Sequence, residues 1–303
     1  MRKIIVVAGP TAVGKTEYAI EVAKKINGEI VSCDSMQLYK YMDIGSAKPT
    51  AEERAQVYHY LVDEIDPKEA FSVAEYQKLA KQAIEEIFEK GKIPVIAGGT
   101  GLYLNSLLYN MDFGGAKSDD QLRRKLEEIA ENEGVDALYD LLLEKDQDAA
   151  GRIHKNNVKK VIRAIEAIEL NGKVEDFNNL NVPTDEYEVL MLCLNRNRDE
   201  LYDRINRRVD ILMDMGLLEE VKSLMDMGFT ADDIAMKGIG YKEIIGYFDG
   251  EYDLETAVEL VKRNTRRYAK RQITWFKRYE NMKWFNLSEE GLEDVISWVE
   301  RNM

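Results

Sequence analysis

A glycine-rich loop near the amino terminus constrains the fold more than any other feature of this sequence. Eight residues, Gly9-Pro10-Thr11-Ala12-Val13-Gly14-Lys15-Thr16, fit the pattern G-x-x-x-x-G-K-[ST]. The apolar run 3–8 precedes this loop, and apolar residues at helical spacing follow it. A strand, a phosphate-binding loop and a helix in this order predict the first unit of a P-loop α/β fold.

The next hundred residues extend this unit into a sheet. Apolar runs at 29–34 and 93–97 predict two further buried strands. Between them, Ser72 and Glu75 have the spacing of a capping box and predict the start of a helix. Because strands joined through crossover helices pair in parallel, we expect the fold class α/β, a P-loop doubly wound parallel sheet.

The pattern changes at about residue 114. Amphipathic helices are predicted at 118–132, 135–144 and 157–171. No strand pattern interrupts them, and a strand-like run returns at 188–194. We therefore expect a catalytic core of residues 1–113 and 187–303, with carboxyl-terminal helices, and a helical insertion domain of residues 114–186.

Charge and composition narrow the class of protein. Among 303 residues, 42 are basic and 56 acidic, and the resulting net charge of −14 argues against nonspecific nucleic-acid binding. No apolar run reaches the roughly 18 residues of a membrane span. Cys33 and Cys193 lie in apolar runs and are interpreted as buried thiols. We expect a cytoplasmic monomer without membrane contacts.

The glycine-rich loop supplies groups that bind phosphate. Backbone N–H groups of such a loop and the following helix can surround a di- or triphosphate. The loop residues expected to do so are Gly9, Thr11, Ala12, Val13, Gly14, Lys15 and Thr16. Lys15 adds a positive charge, and the Thr16 hydroxyl is the expected metal ligand, for Mg²⁺. The alternative is a turn that merely starts a helix.

An acidic residue stands at the end of the second predicted strand. P-loop enzymes that hydrolyse nucleotides usually place this acid after a later strand, but the run 93–97 ends in Gly98-Gly99-Thr100. Asp34 instead follows the second strand, at the edge of the sheet where substrates bind. An ionised Asp34 could accept a proton from a nucleophile. The alternative is that Asp34 caps a turn.

A basic segment departs from the acidic average. Residues 262–278 contain eight basic residues and no acidic one, with Tyr268, Trp275 and Phe276 between them. This pattern favours contacts to backbone phosphates and stacking on bases. The alternative is that the cations complement the helix dipole while the aromatic residues pack inward. A smaller basic cluster in the insertion consists of Arg152, His154, Lys155, Lys159, Lys160 and Arg163.

Five arginines follow the returning strand: Arg196, Arg198, Arg204, Arg207 and Arg208. Acidic residues lie among them, so most are expected to form i,i+4 pairs, and one or two are expected to reach the phosphates. His59 has no matching nucleophile motif and is interpreted as structural.

Seven motifs in order resemble those of the bacterial tRNA dimethylallyltransferases, also called tRNA isopentenyltransferases. They are the segments 9–16, 34–39, 42–49, 71–76, 98–103, 238–243 and 265–276. The resemblance spans nearly the whole chain. It departs from the family pattern at Ser46, where Thr is usual, and at Lys155, Asn157 and Lys160, where Pro, Asp and Arg are usual.

The resemblance implies a prenyl transfer. A dimethylallyl group would pass from dimethylallyl diphosphate to N6 of the adenosine 3′-adjacent to the anticodon, nucleotide position 37, and release pyrophosphate. It implies Asp34 as general base, Thr100 as a residue that places the adenine and the diphosphate, and Arg208 and Thr16 with Mg²⁺ as groups that steady pyrophosphate. The residues expected to bind the tRNA anticodon stem-loop are Asp34, Ser35, Met36, Gln37, Thr100, Lys159, Lys160, Arg163, Arg266, Lys270 and Arg271.

Two other functions share parts of this pattern. A P-loop nucleoside or small-molecule kinase would have the same opening loop, but it would not need the cationic helix. A noncatalytic RNA-binding protein with a relict nucleotide loop is disfavoured, because Lys15, Thr16 and Asp34 are all present.

Overall fold

Six parallel strands form the sheet of the computed structural model, which describes residues 2–69, 71–111, 119–171 and 182–303. In chain order the strands are β1 (Lys3–Ala8), β2 (Gly28–Cys33), β3 (His59–Tyr60), β4 (Ile93–Gly98), β5 (Glu188–Asn195) and β6 (Lys283–Asn286). Their order across the sheet is β3-β2-β4-β1-β5-β6. The α/β class and the parallel sheet predicted from the sequence are confirmed.

Helices connect the strands. They are α1 (Lys15–Lys25), α2 (Ala51–Gln56), α3 (Val73–Glu89), α4 (Gly101–Leu108), α5 (Asp120–Asn132), α6 (Val135–Lys145), α7 (Gln147–Arg152), α8 (Val158–Asn171), α9 (Arg198–Asp214), α10 (Leu217–Asp226), α11 (Tyr241–Phe248), α12 (Leu254–Phe276) and α13 (Leu292–Asn302). A short 3₁₀ turn, Ala235–Lys237, precedes α11.

The chain divides into two compact units. The first contains Met1–Leu108 and Thr184–Met303, and the second is Tyr109–Pro183. Residues 113, 114, 118 and 172, where the sequence predicts a boundary or the end of a helix, lie outside the described residues.

The first unit buries both faces of its sheet. Residues of β1 are almost completely buried after the first position, as in β2. Helix α1 contributes Ala19, Val22 and Ala23 to the core cluster that covers one face, at the spacing of a single helical stripe. Strand β1 ends at Ala8, and the glycine-rich loop begins at the next residue. Because both neighbouring strands run parallel to β1, the loop lies at the edge of the sheet where their carboxyl ends meet.

Helix α3 begins and ends as its sequence predicts. The Ser72 side chain accepts a hydrogen bond from the backbone of Glu75, and the capping box is complete. Gly91, at φ 68°, follows its carboxyl end in the left-handed region that favours glycine. The Tyr76 hydroxyl donates to the Ser32 carbonyl at 3.1 Å, and its ring stacks on Tyr103 at 4.0 Å. The helix is thereby fixed against β2 and α4.

The second unit has its own apolar core. Leu126, Leu138, Leu142, Val161 and Ile165 are buried together between its helices. Helix α7, which the sequence analysis does not predict, begins where the Asp146 side chain accepts a hydrogen bond from the Ala149 backbone at 2.8 Å. No helix in the described part of the chain is both long and apolar enough to span a membrane.

Candidate active site

The glycine-rich loop has the backbone conformation that its sequence demands. Gly14 has φ 112° and Ala12 has φ 63°, both in the left-handed region. A Cβ atom on Gly9 would lie 2.7 Å from the carbonyl oxygen of Leu194, so only glycine fits this close approach to β5. The loop is therefore a tight turn at the carboxyl end of β1.

Two arginines hold the loop from outside. Arg204 donates from Nε to the carbonyl of Ala12 at 3.1 Å, and Arg196 donates from Nε to the carbonyl of Val13 at 3.2 Å. Both hydrogen bonds use carbonyl oxygens. The arginines therefore fix the loop without using backbone N–H groups that an anion needs.

Lys15 folds back across the loop. Its Nζ donates to the carbonyl of Pro10 at 2.9 Å. Burial lowers the pKa of Lys15 to about 8, which the charge of Asp34 opposes and the charge of Arg208 reinforces. Electrostatics thus couple three of the residues expected at the site. An anion placed among them would favour the charged form of Lys15.

Arg208 lies one helical turn beyond Arg204 on α9, so both face the same side of the helix. Burial lowers the pKa of Arg208, and the charge of Asp34 counteracts this. Its guanidinium remains protonated at physiological pH. Three arginines of this stretch therefore bring positive charge to the loop. Arg196 and Arg204 do so through hydrogen bonds to its carbonyl oxygens, and Arg208 through its charge, which acts on Lys15.

Asp34 follows β2 directly. Its Oδ1 accepts a hydrogen bond from the backbone N–H of Met36 at 2.9 Å. In the described part of the chain, no donor occupies Oδ2. The turn interpretation and the general-base interpretation are therefore compatible, because one oxygen orients the carboxylate and the other is available.

Thr100 lies beside this turn. Its Oγ1 accepts from the backbone N–H of Ser35 at 3.0 Å, and its own N–H donates to the Cys33 carbonyl at 3.1 Å. Tyr268 of α12 lies near Thr100 and Asp34, and burial raises the pKa of its phenol. The structure thus brings Thr100 next to the Asp34 turn, and its role in placing the adenine and the diphosphate stays a prediction.

Both polar atoms of the Gln37 side-chain amide form hydrogen bonds within the protein. Its Oε1 accepts from the Ser32 hydroxyl at 3.1 Å, and its Nε2 donates to the Ala47 carbonyl at 3.3 Å. Met36 packs into the apolar cluster around Met42. Their contacts to tRNA stay predictions, and their visible role is to shape the loop after Asp34.

Helix α12 separates its cations into two sets. Lys262 pairs with Asp210 at 2.7 Å, and Arg266 donates to Asn206, so these two are held against α9. The other six are exposed and form no ion pair with the described residues; four lie on α12 and two directly follow its end at Phe276. They are Arg263, Arg267, Lys270, Arg271, Lys277 and Arg278; we call them the α12 cationic face.

The aromatic residues of α12 do not all have the predicted role. Phe276 is 1% exposed and belongs to the core, so the expectation that it stacks on a base is wrong. Tyr268 and Trp275 instead lie beneath cations, with Arg271 5.6 Å from one ring centre and Arg278 4.7 Å from the other. The inward-packing alternative is thus correct for Phe276.

Three cations that were expected to contact tRNA are on α8, in the second unit. Lys159, Lys160 and Arg163 are exposed, while Val161 and Ile165 face the unit's core. Lys155 pairs with Asp136 at 2.6 Å. The exposed cations of this unit are available to a polyanion.

Other expectations concern the two cysteines, a histidine and the i,i+4 ion pairs. Cys33 and Cys193 are free, buried thiols, as predicted. The His59 Nδ1 lies 2.7 Å from the Val57 carbonyl in the edge strand β3, which fits a structural histidine. Arg207 pairs with Asp203, and Arg196 with Glu200, in the expected i,i+4 arrangement.

Sequence reasoning missed two polar residues that organise the site. Glu220 of α10 accepts hydrogen bonds from the backbone N–H groups of three residues and from the Tyr241 hydroxyl at 2.8 Å. The three residues are Asp43 at 2.8 Å, Ile44 at 2.7 Å and Gly45 at 2.9 Å. The second is Gln272 of α12, which contacts both the glycine-rich loop and the Gly99 carbonyl.

Comparison with known proteins decides the family. A model of the IPP transferase family matches residues 37–279. The chain belongs to the IPP transferase family. It is 54% identical over 301 residues to a tRNA dimethylallyltransferase of Alkaliphilus oremlandii (strain OhILAs), covering 97% of this chain and 96% of that one. A tRNA dimethylallyltransferase of Clostridioides difficile (strain 630) is 53% identical over 298 residues, with the same coverage of 97% and 96%.

Solved structures agree with this family assignment. The full-length tRNA isopentenylpyrophosphate transferase of Bacillus halodurans is 44% identical, with a TM-score of 0.75, over 99% of this chain and 96% of that one. A eukaryotic dimethylallyltransferase acting on tRNA is 30% identical, with a TM-score of 0.85, over 98% and 78%. The resemblance seen in the seven motifs is thus confirmed, and membership of the IPP transferase family argues against the kinase alternative.

Proposed function

We propose that this protein transfers a dimethylallyl group from dimethylallyl diphosphate to N6 of the adenosine 3′-adjacent to the anticodon in tRNA, with release of pyrophosphate. The names of its relatives support the reaction class. The observation that carries the proposal is the Asp34 carboxylate, with one oxygen oriented by a backbone N–H and the other available, beside Thr100 and electrostatically coupled to Lys15.

The donor diphosphate binds in the glycine-rich loop. Backbone N–H groups at the start of α1 point toward it, and the helix dipole favours its negative charge. Lys15 and Arg208 add two positive charges that balance the charge growing on pyrophosphate as it leaves. Because the loop binds a leaving group, no residue is needed to activate water against a terminal phosphate.

A divalent metal is typical of such prenyl transfers, and Mg²⁺ is the ion that we propose. The described residues contain no cluster of three His, Cys, Asp or Glu side chains that could hold a metal alone. This donor set fits an ion that arrives with its diphosphate, since Mg²⁺ keeps several waters and binds phosphate oxygens with few protein ligands. Thr16, in the first turn of α1, would supply its hydroxyl. When bound, the ion supplies charge stabilisation to the leaving pyrophosphate.

The acceptor is the N6 amine of the adenosine, which reacts beside Asp34. N6 forms a bond to the first carbon of the dimethylallyl group as the bond from that carbon to the diphosphate oxygen breaks. The proton released from N6 passes to Asp34, and its electron pair stays with nitrogen. Thr100, fixed by the Ser35 backbone, orients the adenine.

Exposed cations of each unit would bind the tRNA. In the first unit the α12 cationic face would contact phosphates of the anticodon stem-loop, and in the second unit Lys159, Lys160 and Arg163 would do so. Flipping the adenosine out of its stack costs a few kcal/mol, which these contacts offset. The short polar turn 34–37 would meet the flipped base. We propose that the enzyme works as a monomer in the cytoplasm.

One incubation tests the proposal. Purified protein is mixed with unmodified tRNA and either labelled dimethylallyl diphosphate or γ-labelled ATP. We expect label on tRNA only from dimethylallyl diphosphate, at the adenosine next to the anticodon when the product is mapped by nuclease digestion and mass spectrometry. Asp34→Asn is the matched control, and transfer of phosphate from ATP to a small acceptor would instead support a kinase.

A further inference from the structure

Gln272 joins two loops that are far apart in the sequence. Its Oε1 accepts a hydrogen bond from the backbone N–H of Thr11 at 2.9 Å, and its Nε2 donates to the Gly99 carbonyl at 3.0 Å. The residue is 5% exposed. One buried amide therefore spans the gap between the glycine-rich loop and the turn that carries Thr100.

The fit around this amide is close. A Cβ atom on Gly99 would lie 2.2 Å from the Gln272 Nε2, so a larger residue at this position would displace the amide. A buried amide needs partners for its donor and its acceptor, and here each has one. Leucine or methionine would fill the same volume but would leave the Thr11 N–H and the Gly99 carbonyl without these partners.

The two loops carry the two substrates in the proposed reaction. Thr11 belongs to the loop that binds the diphosphate, and the turn after Gly99 places Thr100 beside Asp34. A transfer between two bound groups is fast only when the reacting atoms are held within about 3–3.5 Å. A strut of fixed length between the loops is what sets that distance.

We propose that Gln272 is a positioning residue that fixes the spacing between the donor loop and the acceptor turn. The inference rests on the proposed function. Gln272 touches neither reacting atom, and it acts through the backbones of Thr11 and Gly99. Of the groups expected to bind the diphosphate, only the Thr11 N–H loses a partner when Gln272 is replaced, so the loss should affect alignment more than affinity.

The test measures single-turnover rates and affinities in the full chain. In Gln272→Met, we expect the rate at saturating dimethylallyl diphosphate and tRNA to fall about 10- to 100-fold, the size that a small misplacement produces. The KM of each substrate should change less than about threefold. Gln272→Glu, which keeps the acceptor for Thr11 but cannot donate to Gly99, should also be slow. Gln82→Met, at an exposed glutamine on α3, is the control and should keep the wild-type rate.

The outcomes separate the two proposals. If wild-type protein transfers label and both Gln272 variants keep its single-turnover rate, the positioning role is overturned and the proposed function stands. A large rise in donor KM with an unchanged rate would make Gln272 a binding residue and would also overturn the inference. Absence of transfer by the wild-type protein would overturn the proposed function itself. Thermal unfolding of each variant shows that the rates belong to folded protein.

Discussion

Replacing Lys15 by methionine should stabilise the ligand-free protein and lower its affinity for diphosphate. Burial lowers the pKa of Lys15 from 10.5 to about 8, so the folded protein holds this charge at a cost when no anion is bound. Methionine keeps most of the volume and removes the charge. The same substitution removes a cation that the diphosphate needs.

The size of the effect follows from the pKa. The difference between a pKa of 10.5 and one of about 8, at about 1.36 kcal/mol per pH unit, corresponds to about 3.4 kcal/mol at pH 7 as an upper bound. Lys15 is partly exposed to solvent, which reduces this value. Its hydrogen bond to Pro10 is also lost, at a cost of about 1 kcal/mol. We expect Lys15→Met to raise the free energy of unfolding by about 1–2 kcal/mol.

The stability advantage of Lys15→Met over the wild type should decrease as the pH rises. Below pH 8 the lysine is charged in both the folded and the unfolded protein, so the full penalty applies to the wild type. Between about pH 8 and pH 10.5 the folded protein loses this proton first, and wild-type stability rises relative to the variant. The advantage of Lys15→Met should therefore shrink across this window.

Urea unfolding at pH 7 and pH 10, without ligand, measures both differences. Lys24→Met is the control, because Lys24 is an exposed lysine on the same helix, paired with Glu21. Calorimetric titration with pyrophosphate should show at least about 10-fold weaker binding to Lys15→Met, with little change in tRNA affinity. Equal or lower stability of Lys15→Met at pH 7, or an advantage that persists at pH 10, would refute the reasoning.

Two further predictions concern catalysis and tRNA binding. Asp34→Asn should lower the single-turnover rate about 10²- to 10⁴-fold, the usual contribution of a general base, with pyrophosphate affinity nearly unchanged; a wild-type rate would remove Asp34 from that role. Neutralising Lys270 and Arg271 together should lower the slope of log K against log salt by about 1.4 units for an anticodon stem-loop, measured by fluorescence titration. Neutralising Arg198 and Arg207 should change it much less, since Arg207 is already paired with Asp203. Equal slopes for the two double variants would mean that α12 does not bind the tRNA.

The local elements of this fold could be predicted from the sequence because their signals are local. The strand, loop and helix at 3–25 follow from adjacent residues, and so does the capping box at Ser72. Helix α7 and strand β6 escaped prediction because six and four residues are too few to show a period.

The site was predictable only in part, for a physical reason. Asp34 and Thr100 closely follow strands β2 and β4, Lys15 follows β1 after the glycine-rich loop, and parallel strands end at one edge of the sheet. Gln272 gave no such signal, because its partners Thr11 and Gly99 are 261 and 173 positions away. Phe276 was assigned to the wrong face of α12, although its spacing from Ala269 and Gln272 matches the buried stripe of that helix.

The carboxylate of Glu220 occupies a backbone site that could otherwise accept an anion. The consecutive N–H groups of Asp43, Ile44 and Gly45 form a concave surface of the kind that captures free anions. In this protein the Glu220 carboxylate already accepts hydrogen bonds from these N–H groups, and because it is part of the chain it stays there at any protein concentration. The N–H groups of segment 43–45 are thereby unavailable to an anion from solvent. Under the proposed function, this leaves the glycine-rich loop for the donor diphosphate and the exposed cations for the tRNA.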